Sequence, residues 1–369
     1  MSLKAKRNAK YQKIYDHFHT AIIEGALKAG DQLPTEADLC REFGTSRPTV
    51  ARALRQLVDE GLLRRRAGSG TFVNEMAKSG EDKVRRLGLL TPGLGETEIF
   101  EPICAQIAAV AEAQGFHLLW GSGRGESDTS PADAALSLCQ RYIEQGVEGV
   151  FFAPLELDKR SEGINRQIVN ALQREGIVVV LLDRDLGPFP RRSDCDLIAL
   201  DNLRGGYLIA AHLLRQRCTR IDFLALPHSA QTVTQRLEGV RAALYDAGVI
   251  MPRNWVHCGS PEDPNFVKRD IVDAGVDAVV CANDATAAML MTTLAGMGVD
   301  IPKQIRICGF DDVKYAGMLR VPLTTIKQPC ADIGRIAVLT MMDRFTHRNL
   351  PGRKIMLTPQ LVVRESCGA

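Results

Sequence analysis

No stretch of this sequence approaches the roughly 18 consecutive apolar residues that a membrane-spanning helix needs. The first fifteen residues are polar and basic and lack the apolar core of a secretory signal. None of the ten cysteines forms a CxxC pair, and without an export signal such scattered thiols read as reduced and structural. There is no Walker A loop, no HExxH metal pair and no internal repeat. With 24% charged and 45% hydrophobic residues, the composition excludes a disordered or collagen-like chain. What remains is a globular protein expected in the cytoplasm. Its 369 residues predict two or three domains at roughly 100–200 residues each.

Net charge is only +2, but it is unevenly spread. Residues 1–75 carry 13 Lys and Arg against 9 Asp and Glu, whereas the remainder is slightly acidic. A basic head on a mildly acidic body suggests that the head meets an anion.

The pattern of the head sharpens this. Ile14, Phe18, Ala21, Ile22 and Leu27 fall at helical spacing and predict a first helix over Tyr11 to Glu24, closed by Gly25. Thr35 follows Pro34 and precedes Asp38, an N-cap with an acidic first turn for a helix reaching Phe43. After Gly44, Ser46 can cap a third helix from Arg47 to Glu60, with Val50, Ala53, Leu54, Leu57 and Val58 as its apolar face. Two helices around a short Gly-containing turn make a helix-turn-helix whose second member reads the major groove. Leu62 to Arg66 and Thr71 to Val73 flank Gly68-Ser69-Gly70 and predict a β-wing. Arg47 can fork onto a guanine edge, while Ser46, Thr49, Arg52 and the wing arginines Arg64, Arg65 and Arg66 suit phosphate, and Thr35 is counted with them among the DNA contacts.

Leu33-Pro34-Thr35-Glu36, Thr45-Ser46-Arg47-Pro48-Thr49-Val50, Glu60-Gly61-Leu62-Leu63 and Gly68-Ser69-Gly70-Thr71-Phe72-Val73 resemble the GntR-family winged-helix domain in sequence and order. The resemblance implies double-stranded operator DNA as partner. It makes Arg47 and Thr49 operator contacts and sends the Gly68–Gly70 wing tip into the minor groove. Where the family commonly has Arg after its Ser-Glu or Thr-Glu pair, Ala37 stands. Where it commonly has Arg two positions beyond Thr49, Ala51 stands, followed by Arg52.

Residues 76–85 are polar and read as a linker. Beyond them short β-type runs alternate with helical patterns. Among the runs are Leu87–Leu90, Gly149–Ala153, Val178–Leu182, Ile221–Leu226, Ala278–Cys281 and Ile305–Phe310. This predicts α/β architecture, parallel sheets covered on both faces, in two lobes. Ligands in such sheets bind beyond the carboxyl ends of strands. The polar residues placed there are Asp183, Arg184, Arg236, Asn283, Asp311 and Gln328, which supply donors and acceptors for several hydroxyls. An aromatic can cover a sugar's apolar face. Asp311-Asp312 is a paired carboxylate, but no His or nucleophile lies at helpful spacing. No catalytic residue, cofactor or metal is therefore assigned. Trp120 and Trp255 are possible sugar platforms, with Trp120 better read as core or rim.

Leu181-Leu182-Asp183-Arg184-Asp185, Leu200-Asp201-Asn202, Arg236-Leu237-Glu238-Gly239, Cys281-Ala282-Asn283-Asp284, Gly309-Phe310-Asp311-Asp312 and Gln328-Pro329 together resemble the LacI-type effector domain, a relative of ribose-type periplasmic binding proteins. The resemblance spans nearly everything from Leu87 to Ala369. It implies that Asp183, Arg184, Arg236, Asn283, Asp311 and Gln328 contact a sugar between the lobes, with Phe100 as the aromatic beside it. Where the family often has Asn-Pro followed by two aromatics, Thr97-Glu98-Ile99-Phe100 stands. The resemblance divides the body into a first lobe of about 86–199 and 329–345 and a second of about 200–328 and 346–369. A GntR-type head on a LacI-type body is the architecture of arabinose-repressor-like regulators. The expectation is a homodimeric, ligand-responsive repressor on a pseudo-palindromic operator, with no membrane partner. Two rivals stand beside it. One is the same regulator answering a purine or another non-sugar effector. The other is a GntR-type fusion enzyme, which would need a pyridoxal-phosphate lysine and a body near 400 residues.

Overall fold

The computed structural model describes residues 3–23, 26–59, 61–66, 70–74, 85–91, 98–121, 130–157, 160–187, 190 and 192–369. Backbone contacts divide the chain into two units, Met1–Val84 and Arg85–Ala369.

The first unit holds α1 (Leu3–Ile23), α2 (Glu36–Glu42), α3 (Arg47–Asp59), β1 (Leu63–Arg66) and β2 (Gly70–Val73). Helix α1 begins well before the expected Tyr11. Its Ile14, Phe18 and Ile22 form one stripe at a spacing of four and share a core with Val50, Ala53, Leu54 and Leu57 of α3. Thr35 caps α2, with Oγ1 accepting from the Asp38 N–H and donating to the Asp38 carboxylate at 2.6 Å. Strands β1 and β2 pair antiparallel from Leu63 opposite Val73 to Arg66 opposite Gly70, the expected wing. The loop before α2 clips onto it, Gly30 N–H to Val73 C=O and Leu33 N–H to Thr71 C=O. Gly68, Ser69 and all of the 76–85 linker except Arg85 lie outside the described residues.

The second unit contains two parallel sheets. In the first, β3 (Arg85–Leu90), β4 (Phe116–Trp120), β5 (Gly149–Phe152), β6 (Val178–Leu182), β7 (Asp196–Leu200) and β13 (Lys354–Leu357) lie in the order β13-β7-β6-β5-β3-β4. One face packs on α4 (Phe100–Ala113) and α11 (Cys330–Thr346), the other on α5 (Pro131–Glu144) and α6 (Ser161–Arg174). Gly149–Phe152 is buried along its whole length, as a parallel strand covered on both faces must be. In the second sheet, β8 (Ile221–Ala225), β9 (Val256–Cys258), β10 (Ala278–Cys281) and β11 (Arg306–Cys308) lie in the order β11-β10-β8-β9. It is covered by α7 (Asn202–Arg215) and α8 (Gln231–Asp246) on one face, and by α9 (Pro264–Val267) and α10 (Asp284–Gly296) on the other. A short antiparallel pair, β12 (Thr325–Lys327) with β14 (Gln360–Val362), stands beside it.

The lobe boundary at 346 needs correction. Lys354–Leu357 pairs in parallel with Leu197–Leu200, so the chain stays in the first lobe through β13 and crosses back only before Gln360. The chain therefore crosses between lobes after Leu200, after Lys327 and after Leu357. Helices α7 and α8 touch backbone to backbone. A Cβ on Gly206 would stand 1.9 Å from the Arg236 carbonyl oxygen, and one on Gly239 would stand 2.0 Å from that of Leu203. All ten cysteines are free. Among the described residues no helix is long and apolar enough to cross a membrane.

Candidate functional site

At the start of α3, Ser46 and Arg47 are exposed, and the Arg47 side chain is 75% accessible. Thr49 is different. It is buried, with its hydroxyl 3.0 Å from that of Ser46, so it supports the exposed serine and does not itself face outward as an operator contact should. Exposed Arg52 lies over the Tyr11 ring, 4.7 Å from its centre. Strand alternation divides the three wing arginines, placing Arg65 on the face opposite Arg64 and Arg66. Arg65 Nη2 stands 2.9 Å from Glu36 Oε1, and the other oxygen of that carboxylate lies 3.9 Å from Arg47 Nε. Glu36 thus draws the wing and the start of α3 toward one charge. The Arg66 guanidinium extends over Phe72 at 5.6 Å. Arg65 thus differs from its two neighbours in having the Glu36 carboxylate beside it in the absence of DNA, an exposed ion pair that costs little to exchange for a phosphate. Gly70 adopts φ +120°, and a Cβ there would come within 2.7 Å of the Gln32 side chain.

In the body, the residues singled out at strand ends gather in two groups. On the first lobe, Asp183 follows β6 with φ 66° and holds Arg184, Nε to Oδ2 at 2.9 Å. Arg184 Nη1 also meets Glu156 Oε1 at 2.5 Å, and its guanidinium carbon sits 5.9 Å from the centre of the Phe100 ring. Phe100 itself is 1% exposed and belongs to the first-lobe core, turned toward the arginine. On the second lobe, Arg236 in α8 is held by three acceptors. Nε donates to Asn202 Oδ1 at 2.8 Å, Nη1 to the Ala282 carbonyl at 2.6 Å and Nη2 to Asp311 Oδ1 at 3.2 Å. Its guanidinium also stacks on Phe310 at 3.9 Å. Gln328 Nε2 donates to the same Asp311 oxygen at 2.6 Å.

Burial pushes the Asp311 carboxyl up to about 6 against the pull of Arg236 and Gln328, and the carboxylates of Asp183 and Glu156 raise it further. Groups of the two lobes therefore feel one another across the cleft. Three buried polar atoms there make no hydrogen bond among the described residues: the oxygens Asp183 Oδ1 and Gln328 Oε1, and Arg184 Nη1, which has the Glu156 carboxylate as its ion-pair partner. The two oxygens have no partner of any kind. Both are acceptors. Backbone strain marks the same place. Leu157, Asp183, His228, Asp311 and Asp312 have positive φ, and among the described residues Arg217 is the other non-glycine that does. A cavity of 240 Å³ adjoins the cleft between Glu156, Arg184, Asp185 and the segment His228–Thr234.

Asn283 and Asp284 serve the frame. Asn283 Oδ1 caps α10 through the Thr286 N–H at 2.8 Å. Asp284 is fully buried, accepting from Thr325 Oγ1 at 2.6 Å and the Val313 N–H at 3.0 Å, and burial followed by the charge of Asp311 raises its carboxyl to about 8. Trp255 is buried in the second-lobe core, with Arg241 5.4 Å from its ring centre, and offers no platform to a ligand. Trp120 is 44% exposed at the end of β4, on the rim. Asn202 and Glu156 were not picked from the sequence. Asn202 sat in the Leu200-Asp201-Asn202 motif and could have been found there, but nothing in the run Phe152–Asp158 marks Glu156. Among the described residues no three His, Cys, Asp or Glu side chains gather as a metal ion would need.

Two protein families match the chain. Bacterial regulatory proteins of the gntR family match residues 10–73, and the periplasmic binding protein-like domain matches residues 210–367. The arabinose metabolism transcriptional repressor of Geobacillus stearothermophilus is 26% identical over 373 residues, covering 99% of each chain. The ribose operon repressor of Escherichia coli (strain K12) is 33% identical over 231 residues, 62% of this chain and 67% of that one. Among solved structures, the transcription regulator GntR from Chromobacterium violaceum superposes with a TM-score of 0.61 at 25% identity, covering 77% of this chain and all of that one.

Proposed function

This chain belongs to the bacterial transcription regulators with a periplasmic-binding-protein-like body, here behind a GntR-family head, and we propose that it is a repressor whose operator affinity is set by an uncharged sugar held between Asp183–Arg184 and Arg236–Asp311–Gln328. The observation that carries the ligand class is the pair of unpartnered buried acceptors, Asp183 Oδ1 and Gln328 Oε1. They need hydroxyl donors from the occupant. Sugar hydroxyls supply such donors, whereas a phosphate or carboxylate supplies only acceptors. Both cleft arginines already face carboxylates, which further disfavours an anionic ligand. The names of the arabinose and ribose repressors agree with this reading.

The paired carboxylates do not act as an acid–base couple in this reading. Asp311 serves Arg236 and Gln328, while Asp312 turns away to Arg364 at 2.6 Å. A cytoplasmic homodimer completes the reading, two heads meeting the two halves of an operator.

Thermal-shift screening against L-arabinose, D-ribose, D-galactose and a set of purines tests the ligand class, followed by mobility shift of a selected operator with and without the hit. A neutral sugar that raises the melting temperature and changes operator affinity is expected. Stabilisation by a purine alone, or an undiminished sugar response in Asp311→Ala, overturns the assignment.

A further inference from the structure

Three hydrogen bonds close the mouth of the cleft, each joining one lobe to the other. The Leu157 N–H donates to the His228 carbonyl at 3.1 Å, the Ala230 N–H to Glu156 Oε2 at 3.1 Å, and Gln231 Nε2 to the Asp185 carbonyl at 2.9 Å. Leu157 and His228 both sit in the left-handed region, at φ 64° and 59°. A contact between two such residues from different lobes persists only where the surroundings enforce it. Glu156 is central to the set. One oxygen receives the Arg184 guanidinium and the other receives the N–H at the start of α8.

Helix α8 has no capping side chain of its own, because Ala230 holds the cap position and its first turn contains no acidic residue. The carboxylate of Glu156 partly fills that place from the opposite lobe, accepting from the Ala230 N–H and lying at the positive end of the helix dipole. Less than two turns further along, the same helix carries Arg236. Glu156 therefore touches a ligand-contact candidate on its own lobe and the base of the helix bearing another.

We propose that Glu156 is the positioning residue that converts occupancy of the cleft into closure of the lobes. Through Oε1 it senses how Arg184 is held, and through Oε2 it captures or releases α8. This rests on the reading of the cleft as the effector site, so the test uses ligand-free protein and does not depend on which sugar binds.

Amide exchange resolved to single residues on the full chain reads the latch. In the wild type, the Leu157 and Ala230 amides should open together, with protection factors within about threefold of each other, because one movement exposes both. Glu156→Gln, which keeps the shape and loses the charge, should speed exchange at both amides by about tenfold. The amide of Ala243, inside α8, should keep its rate. Arg184→Gln should speed Ala230 by a similar factor although the two residues do not touch, and the double variant should be no faster than either single one. Unequal opening of the two amides in the wild type would overturn the proposal without any variant. So would acceleration confined to Ala230 in Glu156→Gln, which makes Glu156 only a local cap. Effects of the two substitutions that multiply in the double variant would likewise show two independent contacts.

Discussion

Arg236 Nη2 and Asp311 Oδ1 are 75 residues apart along the chain and 3.2 Å apart in space. The pair assembles because α8 and the loop after β11 both emerge at the same end of the second-lobe sheet, where parallel strands deliver their carboxyl ends. It also makes the cleft sensitive to protons.

Asp311 gains its proton near pH 6, held up chiefly by burial. Hydroxyls that donate to this carboxylate favour its ionised form. Effector affinity should therefore be flat above pH 7 and fall by up to tenfold per unit as the pH drops below 6. The folded value lies above the ordinary value of about 4, so this one group favours the folded state at low pH and loses that contribution as the pH rises from about 4 to 6. Isothermal titration between pH 5 and 8 checks the first point. Asp311→Asn should remove the inflection near pH 6 and weaken binding at neutral pH.

Asn202→Ala should leave Arg236 Nε without its acceptor inside a buried site. The expected cost is about 1–3 kcal/mol, appearing as weaker effector binding with operator affinity in the absence of effector unchanged. Calorimetry and mobility shift on the same preparation separate the two effects.

At Gly206 the smallest possible side chain is already too large. Gly206→Ala puts a Cβ where the Arg236 carbonyl oxygen stands and must push α7 and α8 apart. A loss of about 1–3 kcal/mol in stability is expected, together with weaker effector binding, since Arg236 moves with α8. Chemical denaturation measures the first and calorimetry the second. A wild-type melting curve for this variant would contradict the backbone contact.

On the head, Arg47→Ala should cost about 1–3 kcal/mol of operator binding and relax the base preference. Replacing Arg64 and Arg66 with Ala should weaken binding to all sequences alike and lower the salt slope by roughly 0.9 for each phosphate no longer neutralised. Arg65→Ala should lower it less, because the Glu36 carboxylate beside it offsets part of that charge. Selection from a randomised operator pool and titrations at three salt concentrations distinguish these outcomes.

The alternation of apolar runs and helical stripes made both sheets legible in the sequence, because strands buried on both faces leave continuous runs such as Val178–Leu182. Short edge elements were not legible. Val256–Cys258 has three residues, and its burial alternates, so no run stands out. Lys354–Leu357 is only partly buried and follows a helix expected to end the first lobe, so its return to β7 leaves no mark in the pattern. Within the cleft, residues in compact motifs were found. Glu156 was missed because its partner Ala230 lies on the other lobe, and Thr49, read as an operator contact from its place in the Thr45–Val50 motif, is buried on the stripe that its i, i+4, i+8 spacing with Ala53 and Leu57 already marks.

The chain passes between the lobes three times, and these passages lie side by side, since β7 pairs with β13 and β12 with β14. Three neighbouring straps resist torsion and shear far more than they resist bending. The body is thus left with one soft degree of freedom, a single angle. A receptor of that kind transmits a scalar, how far open it stands. Ligands of different shape can then differ in the amount of signal they send but not in its kind.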